Sequence, residues 1–344
     1  RKYGADSLRF TLAAFAAMGR DIRMSEERIE GYRHFVNKVW NASRFALMNL
    51  PEQGEPRAVD LGAVKGLHHK WILTRLEEIK VEEDAALESY RFNDAAQCVY
   101  KFLWNEFCDW YLELIKADMK EEGPAREEAQ YVLYTVLRET LLLLHPMIPF
   151  VTAEVWDSLP GHEGTDIATE LYPAARPECV KRADADAMIF LQEAISAIRT
   201  IRAELNIKPS YKLSVVRPAS AEQAALLEAN RGFFELARLE KLTIDQSAHA
   251  PKASASNVVR GCEVIVLLTG AVDFQAELAR LEKEIGKVDK DLVALDGKLS
   301  NENFVKRAPA ELVESEKARQ AELIDKKAKM QALQVRFKEA MEQD

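Results

Sequence analysis

Glycine, paired cysteines and long apolar runs are all scarce in this sequence, and each shortage excludes a class of protein. Only 14 of the 344 residues are glycine, and neither G-x-G-x-x-G nor G-x-x-x-x-G-K-[ST] occurs, so a glycine-rich phosphate loop is excluded. The four cysteines include no C-x-x-C pair, which argues against a disulfide framework or a zinc quartet. No apolar run is long enough to span a membrane and no signal peptide opens the chain, so we expect a reduced, cytoplasmic protein.

Residues that usually carry catalysis are also few. The motif H-E-x-x-H is absent, and His68 and His69 are adjacent, so on a helix their side chains should diverge by about 100° and fail to share one metal. His162 falls in a polar segment and is interpreted as part of a solvated loop. The sequence therefore predicts no metal site and no catalytic residue.

Helical periodicity dominates the first half of the chain. Apolar residues recur at steps of three and four in four long runs, which predicts a helical bundle with short connections. Ser25 is the expected N-cap of the first long helix. The predicted runs are about 26–50, 59–82, 92–118 and 125–145, and a shorter amphipathic piece follows Pro149.

The pattern changes after about residue 181. Two β-rich runs, Tyr211–Val216 and Cys262–Leu268, are expected to be strands. Between them we expect a helical stretch near 220–238 and a loop at 245–255. A small α/β unit is thus predicted for residues 181–270.

The last section has the heptad pattern of a coiled coil. Apolar residues from Leu278 to Leu299 alternate steps of three and four, and a break at 301–309 precedes a second helix. We expect an antiparallel hairpin, in which Glu316, Arg319 and Lys326 interrupt the second seam. The alternative is a helical interaction protein that dimerises through the first seam.

Charge is unevenly distributed. The net charge is −9, which argues against a protein that coats DNA or any other polyanion. Residues 31–50 nevertheless contain no acidic residue, and guanidinium groups, carboxamides and an exposed aromatic ring suit an unpaired RNA base. Two further basic stretches could contact phosphates. They supply Arg199, Arg202, Lys208, Lys298, Lys306 and Arg307.

Several segments resemble one family of proteins. Lys2–Arg9 reads K-Y-G-A-D-S-L-R and is similar to the segment that follows the catalytic domain in class I aminoacyl-tRNA synthetases. Other segments resemble the valyl branch of that class, in order and over essentially the whole chain. These are Gly19–Ile22, Gly31–Phe45, Trp104–Glu113, Leu144–Phe150, Ile198–Glu204 and Leu299–Pro309. Isoleucyl and leucyl relatives share some of them, but the coiled-coil end favours the valyl branch.

The resemblance implies a mainly α fold cut from a longer enzyme. The implied parts are the end of the catalytic-domain junction (1–20), a helical anticodon-binding domain (21–180), the small α/β unit (181–270) and a coiled-coil arm that binds tRNA (271–344). The family's parent enzyme, expected to be monomeric, joins valine to tRNA(Val) with ATP and Mg²⁺. Neither His-Ile-Gly-His nor Lys-Met-Ser-Lys-Ser occurs here, so this chain alone is predicted to be inactive and to need no cofactor.

The resemblance and the charge pattern favour the same helix for reading the anticodon. The candidate residues are Arg20, Arg28, Arg33, Phe35, Asn37, Lys38 and Arg44. Arg20 lies at the entrance of the helix, and the others lie on two flanks that cannot both face the anticodon, so some of them must be structural. The arm, by resemblance, contacts the outer corner of the tRNA.

Overall fold

The chain forms two compact units, Arg1–Phe190 and Leu191–Asp344. The computed structural model describes residues 2–16, 24–205, 207, 213–218, 220–239, 241–247, 254–268, 274–301 and 310–341. Most of these residues are helical, as the sequence predicted. None of the helices in the described ranges is both long enough and apolar enough to cross a bilayer.

The first unit is a bundle of helices. Its members are α1 (Ala5–Phe15), α2 (Glu26–Asn49), α3 (Leu67–Glu88), α4 (Phe92–Lys101), α5 (Pro124–Leu144), α6 (Pro149–Trp156) and the start of α7 (Arg182–Glu204). Short 3₁₀ turns at Leu61–Ala63, Ile167–Thr169 and Pro177–Cys179 lie in the connections. The bundle predicted from helical periodicity is confirmed, although α3 begins later than its predicted start near residue 59.

Local chemistry explains where several helices begin. The Ser25 side chain accepts a hydrogen bond from the backbone N–H of Arg28 at 3.3 Å, so the predicted N-cap of α2 is confirmed. Proline occupies the first turn of both α5 and α6, where its missing N–H costs nothing. The buried Asp6 carboxylate of α1 accepts the N–H of Val151 at 2.7 Å, which ties α1 to the start of α6.

The region after α4 is a π-helix. The helical axis continues from α4 through Phe102–Tyr111 with π-helical hydrogen bonding and ends in one α-turn, Leu112–Leu114. The sequence predicted a continuous helix here, but not the wider winding. Short π-helical segments are frequent at functional sites in other proteins. In this chain the π-helix carries Trp104 and Asp109 towards α2.

The second unit contains a four-stranded sheet. The strands are β1 (Leu213–Arg217), β2 (Lys241–Ile244), β3 (Ser254–Val259) and β4 (Cys262–Leu267), in the spatial order β2-β1-β4-β3. α8 (Ala221–Ala229) and a 3₁₀ segment (Arg231–Ala237) connect the parallel strands β1 and β2. β4 runs antiparallel to both of its neighbours.

The α/β character of this unit is confirmed, and the two predicted strands correspond to β1 and β4, but β2 and β3 were not predicted. β3 overlaps the end of the predicted loop at 245–255. β3 is an edge strand with several exposed side chains, so its sequence is polar and lacks the apolar pattern of a strand. β4, in contrast, is largely buried. Arg260 and Gly261 both have positive φ, the geometry of a tight two-residue hairpin between β3 and β4.

The chain ends in the predicted antiparallel helical hairpin. α9 (Phe274–Leu299) packs on α10 (Ala310–Met341), and the predicted α9 seam is confirmed, with Leu281, Val288 and Leu295 buried. The α10 seam differs from its prediction. Val313, Met330 and Phe337 are buried along it, and Glu316, Gln320 and Lys327 are half-buried between them.

Arg319 and Lys326 are exposed, so the prediction that they interrupt the seam was wrong for these two residues. The inward positions of α10 carry polar side chains that pair with α9. Lys327 Nζ lies 2.7 Å from Asp289 Oδ1, and Lys298 Nζ lies 3.4 Å from Glu316 Oε1. Gln320 donates a hydrogen bond to Asp296. Apolar spacing predicted Met330 and Phe337 in this seam, and both are buried, but it could not locate the part that polar contacts hold.

Candidate nucleic-acid interface

A continuous exposed stripe runs along α2. Its members recur at alternating steps of three and four residues, so they lie on one face of the helix. They are His34, Asn37, Asn41, Arg44 and Met48. The stripe lies in the acid-free segment 31–50, so its own residues are neutral or basic. Glu30, one turn before His34 on the same face of α2, is paired with Arg33.

Arg44 offers the most available guanidinium of this helix. It is exposed, and within the described part of the chain it has neither a hydrogen-bond nor an ion-pair partner. Arg33, one turn before Asn37 on the same flank, is more constrained because its Nη2 lies 3.3 Å from Glu30 Oε1 and its guanidinium lies 6.0 Å from the Tyr3 ring centre. An Arg without a partner is well suited to a phosphate or a base edge.

Phe35 is buried, so the prediction that it offers an exposed ring was wrong. Its side chain is 0% exposed. The ring centre lies 4.8 Å from that of Phe10, 4.7 Å from that of Tyr100 and 6.5 Å from that of Trp104. Such a cluster stabilises the bundle through apolar burial and favourable ring geometry.

Trp40 is the exposed aromatic residue of α2 that the sequence interpretation missed. It is 38% exposed and adjoins the polar stripe. The large apolar side chains of this helix, taken alone, would place Trp40 on the inner face beside Val36 and Val39. The buried face instead follows Phe35, Val39, Ala42 and Ala46, at steps of four, three and four. A helical face that includes these two alanines predicts an outward orientation for Trp40, as observed.

Two candidate cations are engaged within the bundle. Lys38 Nζ lies 2.8 Å from Asp109 Oδ1 on the π-helix and 5.0 Å from the Trp104 ring centre. The Arg28 guanidinium lies 4.5 Å from the Phe15 ring centre. The flank that carries Arg28, Phe35 and Lys38 is therefore largely occupied by contacts within the first unit. The opposite flank, with Asn37 and Arg44, remains exposed.

A second basic cluster lies in the other unit. Arg199, Arg202 and Arg238 line one pocket of about 360 Å³. Arg199 donates to the backbone oxygen of Leu236 from Nε at 3.0 Å and from Nη2 at 2.9 Å. Arg202 is only 8% exposed, and burial together with the nearby Arg238 lowers the pKa of its guanidinium. Guanidinium groups that repel one another in this way would be stabilised by a bound anion.

The structure thus brings two predicted residues, Arg199 and Arg202, together and adds Arg238. Arg238 has left-handed backbone angles at the end of the 3₁₀ segment, and no sequence motif indicated it. Lys298 is exposed and pairs with Glu316 within the hairpin. The remaining candidates lie outside the described residues. They are Arg20, Lys208, Lys306 and Arg307.

Two histidine predictions were wrong. His68 and His69 do not point apart, because at the first turn of α3 both rings fold over Gly66 with centres 3.9 Å apart. His162 is not solvated. Its Nε2 lies 3.0 Å from Tyr134 Oη, and its ring centre lies 4.1 Å from that of Trp156. Burial lowers the pKa of His162, which disfavours its charged form.

Comparison with known proteins adds the family. A profile described as the anticodon-binding domain of tRNA ligase matches residues 69–217, and one described as the valyl tRNA synthetase tRNA binding arm matches residues 273–334. A valine--tRNA ligase of Nitratidesulfovibrio vulgaris is 66% identical over 342 residues. The chain belongs to the valyl-tRNA synthetase family. The match covers 99% of this chain and 39% of that relative.

Other relatives agree. Valine--tRNA ligases of Geobacter sulfurreducens and Listeria monocytogenes are 46% and 38% identical, and each match covers 95% of this chain and 37% of the relative. The chain therefore spans well under half the length of these valyl-tRNA synthetases. Among solved structures, an Agrobacterium radiobacter K84 LeuRS–tRNA–LeuAMS complex aligns over 52% of this chain and 20% of its own. Its TM-score is 0.41 at 17% identity, which is too low to define the fold.

The two family profiles divide the chain in a way that bears on the interface. The anticodon-binding profile covers nearly all of α3 and runs to the end of β1, and the arm profile covers all of α9 and most of α10. α2 lies outside both matched ranges. It nevertheless packs against α1, α5, α6 and the π-helix in the first unit. The stripe thus lies on the same helical bundle that the anticodon-binding-domain profile matches in large part.

Proposed function

We propose that this chain is the tRNA-binding portion of a valine--tRNA ligase and that the exposed stripe of α2 reads the anticodon of tRNA(Val). The observation that carries the proposal is Arg44, an exposed guanidinium without a partner among the described residues, in the acid-free segment 31–50 of α2. Anticodon bases are unpaired, so proteins read their edges with polar side chains and their faces with aromatic rings.

The residues of the stripe supply both kinds of contact. Asn37, Asn41 and Arg44 offer amide and guanidinium groups to base edges and phosphates. Trp40 replaces Phe35 as the ring proposed to stack on a base, because Trp40 is partly exposed and Phe35 is buried. Lys38 is proposed to neutralise Asp109 through their ion pair, so that this carboxylate does not repel the RNA.

The helical hairpin is proposed to contact the outer corner of the tRNA. Its two helices cover each other's apolar seams and are cross-linked by polar pairs such as Lys327 with Asp289. That construction suits a stiff arm that recognises shape. The cluster of Arg199, Arg202 and Arg238 is proposed to contact the phosphate backbone.

The full ligase reaction is assigned to the parent enzyme, in which ATP and Mg²⁺ activate valine. The residues of this chain do not fit ATP, since neither synthetase signature nor a glycine-rich loop occurs in the sequence. No chemical step is assigned to the chain by itself. We expect the parent to act as a monomer in the cytoplasm.

Dimerisation through the coiled coil is not favoured. Leu281, Val288 and Leu295 are buried, and α9 packs on α10 of the same chain. A dimer formed through this seam would first have to open the hairpin.

A binding measurement with a matched control tests the proposal. We expect the chain to bind tRNA(Val), and Arg44→Ala to weaken binding roughly tenfold because a charged hydrogen bond is lost. Arg182→Ala is the control. Its side chain is 79% exposed and lies near Glu78 on α3, so affinity should not change. Equal effects of the two substitutions would contradict a role for the stripe.

A further inference from the structure

A compact cluster of metal-ligand side chains lies at the start of α3. His68 and His69 are 5% and 2% exposed, and Asp118 reaches them from the turn that follows the π-helix. Gly66 makes the arrangement possible. A Cβ added there would lie 2.6 Å from His69 Cδ2 and 2.9 Å from His68 Cε1, so only glycine leaves room for both rings.

The ε nitrogens of both histidines approach the same carboxylate oxygen. Asp118 Oδ2 lies 2.7 Å from His68 Nε2 and 3.7 Å from His69 Nε2. One ligand atom from each of the three residues falls within a 4.8 Å span. Two atoms that bind one Zn²⁺ at about 2.0–2.1 Å in tetrahedral geometry lie roughly 3.4 Å apart. The observed separations lie on both sides of that value, so small side-chain rotations would complete the geometry.

We propose that His68, His69 and Asp118 bind one Zn²⁺ ion, which joins the start of α3 to the turn after the π-helix. Two imidazoles and a carboxylate are donors that zinc accepts. Two further observations support this assignment of a site that the tRNA-binding function does not require.

The first is an outer hydrogen bond that orients one ligand. His69 Nδ1 lies 3.0 Å from Tyr111 Oη. When Nδ1 donates to that oxygen, Nε2 carries a lone pair that points towards the Asp118 carboxylate. A cation between them would accept electron pairs from both the nitrogen and the carboxylate oxygen. Metal-bound histidines are usually held in this way through their other ring nitrogen.

The second observation is a pocket that gives solvent access and negative charge. It has a volume of about 220 Å³ and is lined by the three ligands together with Glu128. Glu128 Oε1 lies 4.0 Å from His69 Nε2, and the backbone N–H groups of Lys65 and Gly66 hold its carboxylate in place. Asp118 and Glu128 together balance a divalent charge, and the pocket has room for a water molecule as fourth ligand.

Zinc binding to the 344-residue chain tests the proposal. After treatment with a chelator and its removal, Zn²⁺ is titrated by calorimetry, and Co²⁺ is titrated while visible absorption is recorded. We expect one ion per chain and the intense absorption of four-coordinate cobalt. Asp118→Asn and His69→Gln should each weaken zinc binding by at least about 100-fold, because each removes a ligand. Tyr111→Phe should weaken it by about 10–100-fold.

His34→Gln is the matched control, because His34 is an exposed histidine of α2 outside the cluster. It should bind zinc like the wild type, and zinc should raise the melting temperature of both. The wild-type titration is decisive even when a ligand variant fails to fold. Failure of the wild type to bind one equivalent, or binding by Asp118→Asn equal to that of the wild type, would show that the three residues form only a hydrogen-bonded cluster.

Discussion

Lys38 Nζ lies 2.8 Å from Asp109 Oδ1, so the π-helix holds a cation that the charge pattern of α2 alone would assign to RNA. Both side chains are partly exposed, at 32% and 45%. Arg44, on the other flank of the same helix, is exposed and has no partner among the described residues. Of the three Arg and Lys residues in the acid-free segment, Arg33 and Lys38 are thus paired within the fold, and Arg44 is available to a ligand.

This difference predicts unequal effects of removing the two charges. Lys38→Met should lower the affinity for tRNA(Val) by less than about threefold, because the charge removed is already neutralised and an exposed pair contributes only about 0–1 kcal/mol. Arg44→Ala should cost several times more. Fluorescence anisotropy with labelled tRNA(Val) at fixed ionic strength measures both. A larger loss from Lys38→Met than from Arg44→Ala would contradict the assignment of the two flanks.

Two aromatic residues of α2 are expected to have opposite roles. Phe35→Ala should lower the free energy of unfolding by about 3–5 kcal/mol, because it leaves a cavity in the aromatic cluster. Trp40→Ala should cost far less stability but should weaken tRNA binding by about tenfold, within the range of lost base stacking. Urea unfolding and tRNA anisotropy separate the two effects.

Trp40→Phe is the control for stacking. It retains an aromatic face at the same exposed position, so it should recover most of the affinity lost in Trp40→Ala. Full affinity of Trp40→Ala for tRNA would exclude the ring from the interface.

The sequence allowed most of the fold to be predicted, because periodicity reports burial. The steps of three and four along Leu281, Val288 and Leu295 predicted the α9 seam, and Ser25 predicted the start of α2. Prediction failed where small or polar residues occupy inward positions. The inner face of α2 includes Ala42 and Ala46, which the pattern of large apolar residues does not mark. Phe35 was therefore predicted to be exposed although it is buried, and the exposed Trp40 was not predicted.

Candidate sites were harder to predict because they depend on contacts between distant segments. Nothing in the sequence indicates that Asp118 meets His68 and His69 across about fifty residues, or that Arg238 lies beside Arg202. Ideal helical geometry predicted that the His68 and His69 rings diverge, but at the first turn of α3 both rings fold back over Gly66. The acid-free segment 31–50 was informative because it depends on local composition alone.

Glu83 should make stability depend on pH. Burial raises the pKa of this carboxyl group from 4.5 to about 8, with Asp84 adding to the rise. The folded state therefore holds a proton that the unfolded state releases near pH 4.5. This contribution is complete below pH 4.5 and is lost as the pH rises towards about 8.

Glu83→Gln removes this titration while keeping the shape of the side chain. Relative to the wild type, the variant should gain stability as the pH rises from 5 to 8, by a few kcal/mol. Urea unfolding of both proteins at several pH values measures the difference. A constant difference over this range would contradict the buried, protonated carboxyl group.

The arginine cluster of the second unit is expected to affect the salt dependence of binding. If Arg238 contacts a phosphate, Arg238→Gln should reduce the slope of log affinity against log salt by about 0.7–0.9, because one fewer counterion is released. Preference among anticodons should not change. Binding of tRNA(Val) measured at several salt concentrations gives the slope, and an unaltered slope would remove Arg238 from the interface.

The most direct test of the central claim combines an anticodon change with Arg44→Ala. The affinities of wild-type and Arg44→Ala chains are measured for tRNA(Val) and for tRNA(Val) with a substituted anticodon. We expect the wild type to prefer the natural anticodon and Arg44→Ala to lose most of that preference, which gives a coupling energy between residue and anticodon. Equal preference in both proteins, or none in the wild type, would contradict anticodon recognition by the stripe.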